Sequence, residues 1–318
     1  MSGTETNETT EKQEGKFSMK EEYENSFFTK RKPRMDEFED TVYPHDEIVR
    51  DLEKLGEVES RFKNPINALA ARHLELIIGK NSDKTTDQWL GKNASVYETT
   101  DFDDSLNHVD MVVEFHDPQL GLIRLGVDVT TAHEEGEAAD RKRALIKKYA
   151  DSNLLFPIKY FKGSNDQGDT FLGEIHVPRS VVFVPTDYVE KYWNRLQSLR
   201  DEISTQHKTL KELQSGKKIA FTKESDVQKL LDEKNKQVKE YEGGGLAGLG
   251  FASLLFNQII TSLEKLLETA HKKEYRETIE KTLACLRKEY AEKKKEIEEL
   301  EHTLHPSPIK KVSQSRKK

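Results

Sequence analysis

"HVDMVVEFHDPQLGLIRLGVDVTTA" spans His108–Ala132 and decides how the first half of the chain folds. Two β-prone runs, residues 109–115 and 121–130, flank the polar stretch "HDPQLG". Apolar-rich runs separated by Gly, Pro and Asp read as a hairpin. Centring the loop near Gln119 pairs Asp110 with Asp128, Val112 with Gly126 and Glu114 with Arg124. Opposite charges across a strand pair attract, so the Glu114–Arg124 pairing supports this register. A slip of one residue would turn every side chain to the other face. In this register Asp110 and Asp128 project from one face, with Cβ atoms about 5 Å apart. Carboxylates that close repel unless a cation lies between them or one keeps its proton. A hard divalent cation such as Mg2+ or Mn2+ suits two such oxygen ligands. The plain alternative is a pair of solvated strand ends. Gly126 favours the first reading, because a glycine inside a strand marks the close approach of a ligand or another backbone.

The elements around the hairpin extend the pattern. "PHDEIVRDLEKLGEVESRF" has Ile48, Leu52 and Leu55 at helical spacing. "NPINALAARHLELIIG" predicts a second helix, with Asn64 as N-cap, Pro65 in the first turn and Gly79 as the stop. "ASVYETT" (94–100) is β-prone. After the hairpin, "EEGEAADRKRALIKKYA" predicts a helix, and "PIKYFK" and "RSVVFVP" predict strands. Helix, three strands, helix, two strands is the order of an α/β domain, placed at 46–187. From Tyr188 the chain turns helical and highly charged, with an imperfect heptad pattern. Residues 188–304 are expected to form helical hairpins or a coiled-coil-like arm. Residues 1–45 read as a disordered charged tail, and 305–318 as a basic one.

This order of elements, with Asp110 and Asp128, resembles the PD-(D/E)XK nuclease superfamily. The resemblance covers 100–130 residues and implies a restriction-endonuclease-like core: a helix, a three-strand meander, a helix and further strands. It implies that Asp110 and Asp128 are the two motif acids. Glu75 then matches the carboxylate carried by the preceding helix. The match departs at Thr130, which stands where the family has a lysine. Threonine hydrogen-bonds but carries no positive charge. Lys142, Lys147 or Lys159 can supply that charge from elsewhere, or a second metal can. Otherwise the domain binds without cutting. The resemblance implies metal-dependent phosphodiester hydrolysis, with Mg2+ or Mn2+ held by Asp110, Asp128, the Val129 carbonyl and Glu75. The alternative is a catalytically degenerate scaffold for nucleic acid or protein. Arg141, Arg143, Lys148 and Lys159 are the candidate contacts to nucleic acid, with DNA the expected substrate. The helical region is the candidate surface for a homodimer or a protein partner.

Bulk composition narrows the field. The 318 residues are 34% charged, and the net charge of −7 gives no overall basic field. Cys285 is the single cysteine, which excludes a disulfide framework or a multi-thiolate zinc site and suits a cytoplasmic location. Neither a secretory signal nor a membrane span is expected, and "GLAGLGFASLLFNQII" is too short to cross a bilayer. "GGGLAG" (243–248) formally matches a dinucleotide motif, but it follows a helix rather than a strand and reads as a turn. His108, His116 and His133 read as loop histidines, and Asp101, Asp103 and Asp104 as a turn.

Overall fold

The computed structural model describes residues 32–60, 71, 73–75, 77–78, 89–131, 136–217, 219, 223–241 and 246–304. The first half holds α1 (His45–Glu59), helical residues between 71 and 78, β1 (Ala94–Glu98), α2 (Asp101–Asn107), β2 (Met111–Asp117) and β3 (Gly121–Thr130). Then come α3 (Glu137–Asp151), β4 (Phe156–Ser164), β5 (Thr170–Val177) and β6 (Arg179–Phe183). Four helices follow: α4 (Thr186–Gln214), α5 (Glu224–Tyr241), α6 (Leu246–Thr269) and α7 (Lys273–Leu304).

The chain is mixed α/β, with a four-stranded sheet in the order β1-β2-β3-β6. The first three strands form an antiparallel meander, and β6 runs parallel to β3. The hairpin register is the expected one, with Val112 opposite Gly126 and Glu114 opposite Arg124. The Glu114–Arg124 pair is more than a surface decoration. Glu114 is fully buried, accepts from Arg124 Nε at 2.8 Å and accepts from the Ser164 hydroxyl at 2.6 Å. It therefore ties β4 to the sheet. The β4–β5 hairpin packs Ile158, Phe161, Ile175 and Val177 against Val109 and Val112. Gly126 gives this contact its room: a Cβ there would sit 3.1 Å from Val177 Cγ2 and 3.2 Å from Val109 Cγ1.

Several expectations need correction. Residues 34–43 fall in the expected tail, yet Met35–Phe38 forms a 3-10 turn and Phe38 is fully buried with Ile48, Leu55, Phe102 and Tyr160. Asp101–Asn107, read as a turn, is a short helix with Thr100 as its N-cap. β5 was not expected at all. "LAGLG" lies in the first turns of α6 rather than in a linker. The helix expected over 64–79, the two tails and His133 fall wholly or partly outside the described residues.

The largest correction concerns the helical half. Phe251, Leu255, Ile259, Ile279 and Leu283 share one core with Leu125, Val127, Val129 and Val182. α6 and α7 thus close one face of the sheet, and the boundary at 187/188 separates no cores. α4 joins the same core through Val189, Tyr192 and Trp193, and further along it packs on α5, burying Leu199 and Leu231 and pairing Lys234 with Glu202 at 2.6 Å. Among the described residues, no helix is long and apolar enough to cross a membrane.

A shared core predicts one cooperative transition. Urea unfolding followed by tryptophan fluorescence (Trp89, Trp193) and by far-ultraviolet circular dichroism should give coincident curves. Leu255→Ala, at a 1% exposed position, should lower both by about 2–5 kcal/mol. Two separated transitions would show that the halves fold independently.

Candidate active site at the end of the sheet

Asp110 lies just ahead of β2, and its backbone N–H donates to the Val127 carbonyl at 3.1 Å. Its carboxylate accepts the Val129 N–H at 2.6 Å. That bond follows from strand geometry. On β3 the even-numbered residues face β6: Gly126 donates to Pro178, and Thr130 accepts from Val184. A residue's N–H and C=O point to the same side of a strand, so both groups of Val129 face the β2 side, where Asp110 stands.

Asp128 is buried on β3, one strand from Asp110. Lys142, from α3, bonds Oδ1 of its carboxylate, and Arg179, the first residue of β6, bonds Oδ2. Arg179 is fully buried and lies 4.9 Å over the Phe156 ring. Its Nε and Nη1 have no hydrogen-bond partner, so Asp128 is the group that balances its charge. Sequence reasoning missed Arg179. The available signal was a lone cation opening the otherwise apolar strand "RSVVFVP".

A second tier of charge stands beside this pair. Glu98 ends β1, and Asp101 and Asp104 occupy the first turn of α2. Lys32 reaches in from the N-terminal segment, 2.7 Å from Asp101 and 3.5 Å from Asp104. Burial holds the Asp110 carboxyl well above its usual range, and the charges of Asp128, Asp104 and Glu75 push it the same way. Glu98 is pushed to about 8, again first by burial and then by Glu75, Asp101 and Asp104, with Lys32 opposing. Its Oε2 is buried with no hydrogen-bond partner. His108 ends α2 in a left-handed conformation at φ 53. Burial first, and the Arg179 charge second, hold its imidazole below the usual range.

The named lysines separate cleanly. Lys142 reaches Asp128, whereas Lys147 lies one turn further along α3 and lines a cleft against α6. Lys159 is committed elsewhere: its ammonium bonds Asp51 at 2.6 Å and also pairs with Glu47, docking α1. Arg141 and Lys148 are exposed on α3, and Arg143 lies 5.1 Å over the Phe183 ring. Thr130 ends β3, and its carbonyl holds β6 through Val184. Asp103, in the same run as Asp101 and Asp104, is structural: its carboxylate accepts the backbone N–H groups of Lys159 and Tyr160 at 2.8 and 2.9 Å.

Among the described residues, no three Asp, Glu, His or Cys side chains converge as a ready-made metal cage. None of the protein families, curated proteins or solved structures with which the chain was compared matches it.

The raised Glu98 carboxyl makes a pH prediction. In the unfolded chain Glu98 loses its proton near 4.5, but in the folded protein it holds it to about 8. Between those values the folded state binds more protons, so stability falls as pH rises. Glu98→Gln should flatten that decline and exceed the wild type at pH 9 by about 1–3 kcal/mol. Urea midpoints at pH 5, 7 and 9 check it; parallel declines in both proteins would reject the assignment.

Proposed function

We propose that the protein is a metal-dependent hydrolase of nucleic-acid phosphodiesters, centred on Asp110 and Asp128, with Lys142 in place of the absent motif lysine. The observation that carries this reading is the Lys142 ammonium on the Asp128 carboxylate. Thr130 carries no charge, but α3 delivers a cation to the same acid. The meander followed by a helix and a further strand beside β3 also agrees with the PD-(D/E)XK resemblance.

The donor set fits a divalent cation of the Mg2+ or Mn2+ kind. Its groups are all hard oxygens: two carboxylates, the Val129 carbonyl facing their side, and the unpartnered Oε2 of Glu98 nearby. Mg2+ needs only one or two protein carboxylates when water and substrate phosphate complete its shell. Asp110 and Asp128 would hold the ion, with Glu75 as the further acid. Bound there, the ion would lower the pKa of a water and polarise the phosphoryl group. The protein's own part is electrostatic. Lys142 sits where charge develops on a phosphate oxygen, and Asp128 holds it there. Arg179 fixes Asp128 from behind and is itself shielded from solvent. Exposed Arg141 and Lys148 offer phosphate contacts on the outer face of α3.

A second reading, a non-cutting scaffold, has one specific observation in its favour. Two cations already neutralise Asp128, which is the service a metal would perform.

Calorimetry with Mn2+ separates the two. The hydrolase reading expects one site in the wild type and its loss in Asp110→Asn. Asp110 is the better target, because removing Asp128 strands a buried cation at a cost of about 3–5 kcal/mol. With Mn2+ and single- or double-stranded DNA and RNA, Lys142→Ala should cut the cleavage rate about 100- to 1000-fold. Lys147→Ala should stay near the wild-type rate. Cleavage that survives Asp110→Asn rejects the assignment, and nucleic-acid binding without Mn2+ uptake or cleavage establishes the scaffold.

A further inference from the structure

Between α3, β6 and α6 lies a cleft of about 460 Å³. Its floor is apolar, built from Val181, Phe183 and Leu266, all of them buried. Its rim carries three cations: Arg143 and Lys147 from α3, and Lys265 from α6. No lining residue is acidic. Lys147 and Lys265 make no ion pair among the described residues, and the one carboxylate beside Arg143, Asp140, is exposed and 3.6 Å away. The floor is also fixed in place. The Gln258 side chain accepts the Phe183 N–H at 2.7 Å and donates to the Phe183 carbonyl at 2.8 Å. The hydroxyls of Thr261 and Ser262 stand along the α6 wall.

We infer that this cleft binds a small amphiphilic organic anion, with its apolar body on Phe183 and Leu266 and its carboxylate or phosphate between the rim cations. The volume falls within the range of small-molecule sites, which are largely apolar with a few placed polar groups. Three cations around an apolar floor repel one another in an empty cleft, and an anion relieves that repulsion. A neutral body would gain the floor but leave the rim uncompensated, and a bare inorganic anion would gain the rim but leave the floor wet. The site is distinct from the sheet-end acids: Arg143 and Lys147 face α6, whereas Lys142 faces Asp128.

Titration of the full chain with 8-anilinonaphthalene-1-sulfonate tests this, because the probe joins an aromatic body to one anionic group. The expected result is saturable binding at one site per chain. Its neutral relative, N-phenyl-1-naphthylamine, should bind at least about tenfold more weakly. Charge reversal at the exposed rim, Lys147→Glu with Lys265→Glu, should weaken the sulfonate about tenfold or more and leave the neutral probe within about twofold. Thr261→Trp, which fills the cleft from an exposed position, should abolish binding of both while leaving the circular dichroism unchanged. Unchanged affinity in these variants, or equal affinity for the two probes, would overturn the proposal. So would binding that appears only after residues 1–31 are removed, which would make the chain's own acidic segment the occupant. A phosphorylated and a carboxylated aliphatic chain of equal length, each competing against the probe, then identify the preferred head group.

Discussion

The Asp128 carboxylate joins the parts of this fold. It sits on the strand that ends the antiparallel meander and begins the parallel pairing with β6. Its two oxygens bond cations from two later elements: Lys142 on the crossover helix and Arg179 at the start of β6. A buried ion pair rarely adds net stability, because desolvating the charges costs about as much as their attraction returns. Its effect is on alternatives. Shifting β6 by one residue against β3 would turn Arg179 to the opposite face and bury a guanidinium without its carboxylate. The triad therefore adds a directed constraint on the parallel register to the one that burial of the Val and Phe side chains already imposes.

The same logic recurs on the other face. Asp103 accepts two backbone N–H groups of β4, and Asp51 accepts from the Tyr160 hydroxyl at 2.8 Å and from Lys159. Together they dock α1 and α2 onto β4 through a small set of buried or half-buried carboxylates. Each acid lies far along the chain from the residues it holds, so the N-terminal layer is tied by directed bonds as well as by the cluster around Phe38. The acids near Asp110 differ in kind. Glu98 and Asp110 are both held towards their protonated forms, whereas Asp51 is held below its usual range, chiefly by hydrogen bonds from Lys159, Lys54 and Tyr160 that outweigh its desolvation. Burial raises Asp103 as well, yet both its oxygens have backbone donors, whereas Oε2 of Glu98 is buried with none.

What the sequence disclosed follows the range of each interaction. The hairpin register was legible because alternation and the Glu114–Arg124 pair are both short-range. Helix α1 and strands β1 to β3 were legible for the same reason. β5 escaped because "TFLGEIHV" breaks its alternation with Leu172 and carries a glycine at φ 153. α2 escaped because three aspartates in seven residues read as a turn, although Thr100 before them is a sound N-cap and acids suit a first helical turn. Arg179 left a local trace, a lone cation opening an apolar strand, but nothing in that trace names a partner 51 positions upstream. The docking of α6 on the sheet did leave a trace. "GLAGLGFASLLFNQII" is apolar nearly all round, which is the pattern of a buried helix rather than of one face of a hairpin.

Lys142 reaches Asp128 from a helix rather than from a sheet strand, and this decides what sets its position. A lysine at residue 130 would share a pleated face with Asp128, and its distance would be fixed by the strand itself. Lys142 is placed by the way α3 docks, and α3 docks through few buried groups, chiefly Ala139, Ile146 and Ala150. Beyond Ile146 the contact with α6 opens into the cationic cleft. Successive helical residues point about 100° apart, so Lys142 and Arg143 necessarily serve different surfaces of one rigid rod. Lys142 on Asp128 and the rim cations Arg143 and Lys147 therefore stand on one helix and serve two different surfaces of the fold.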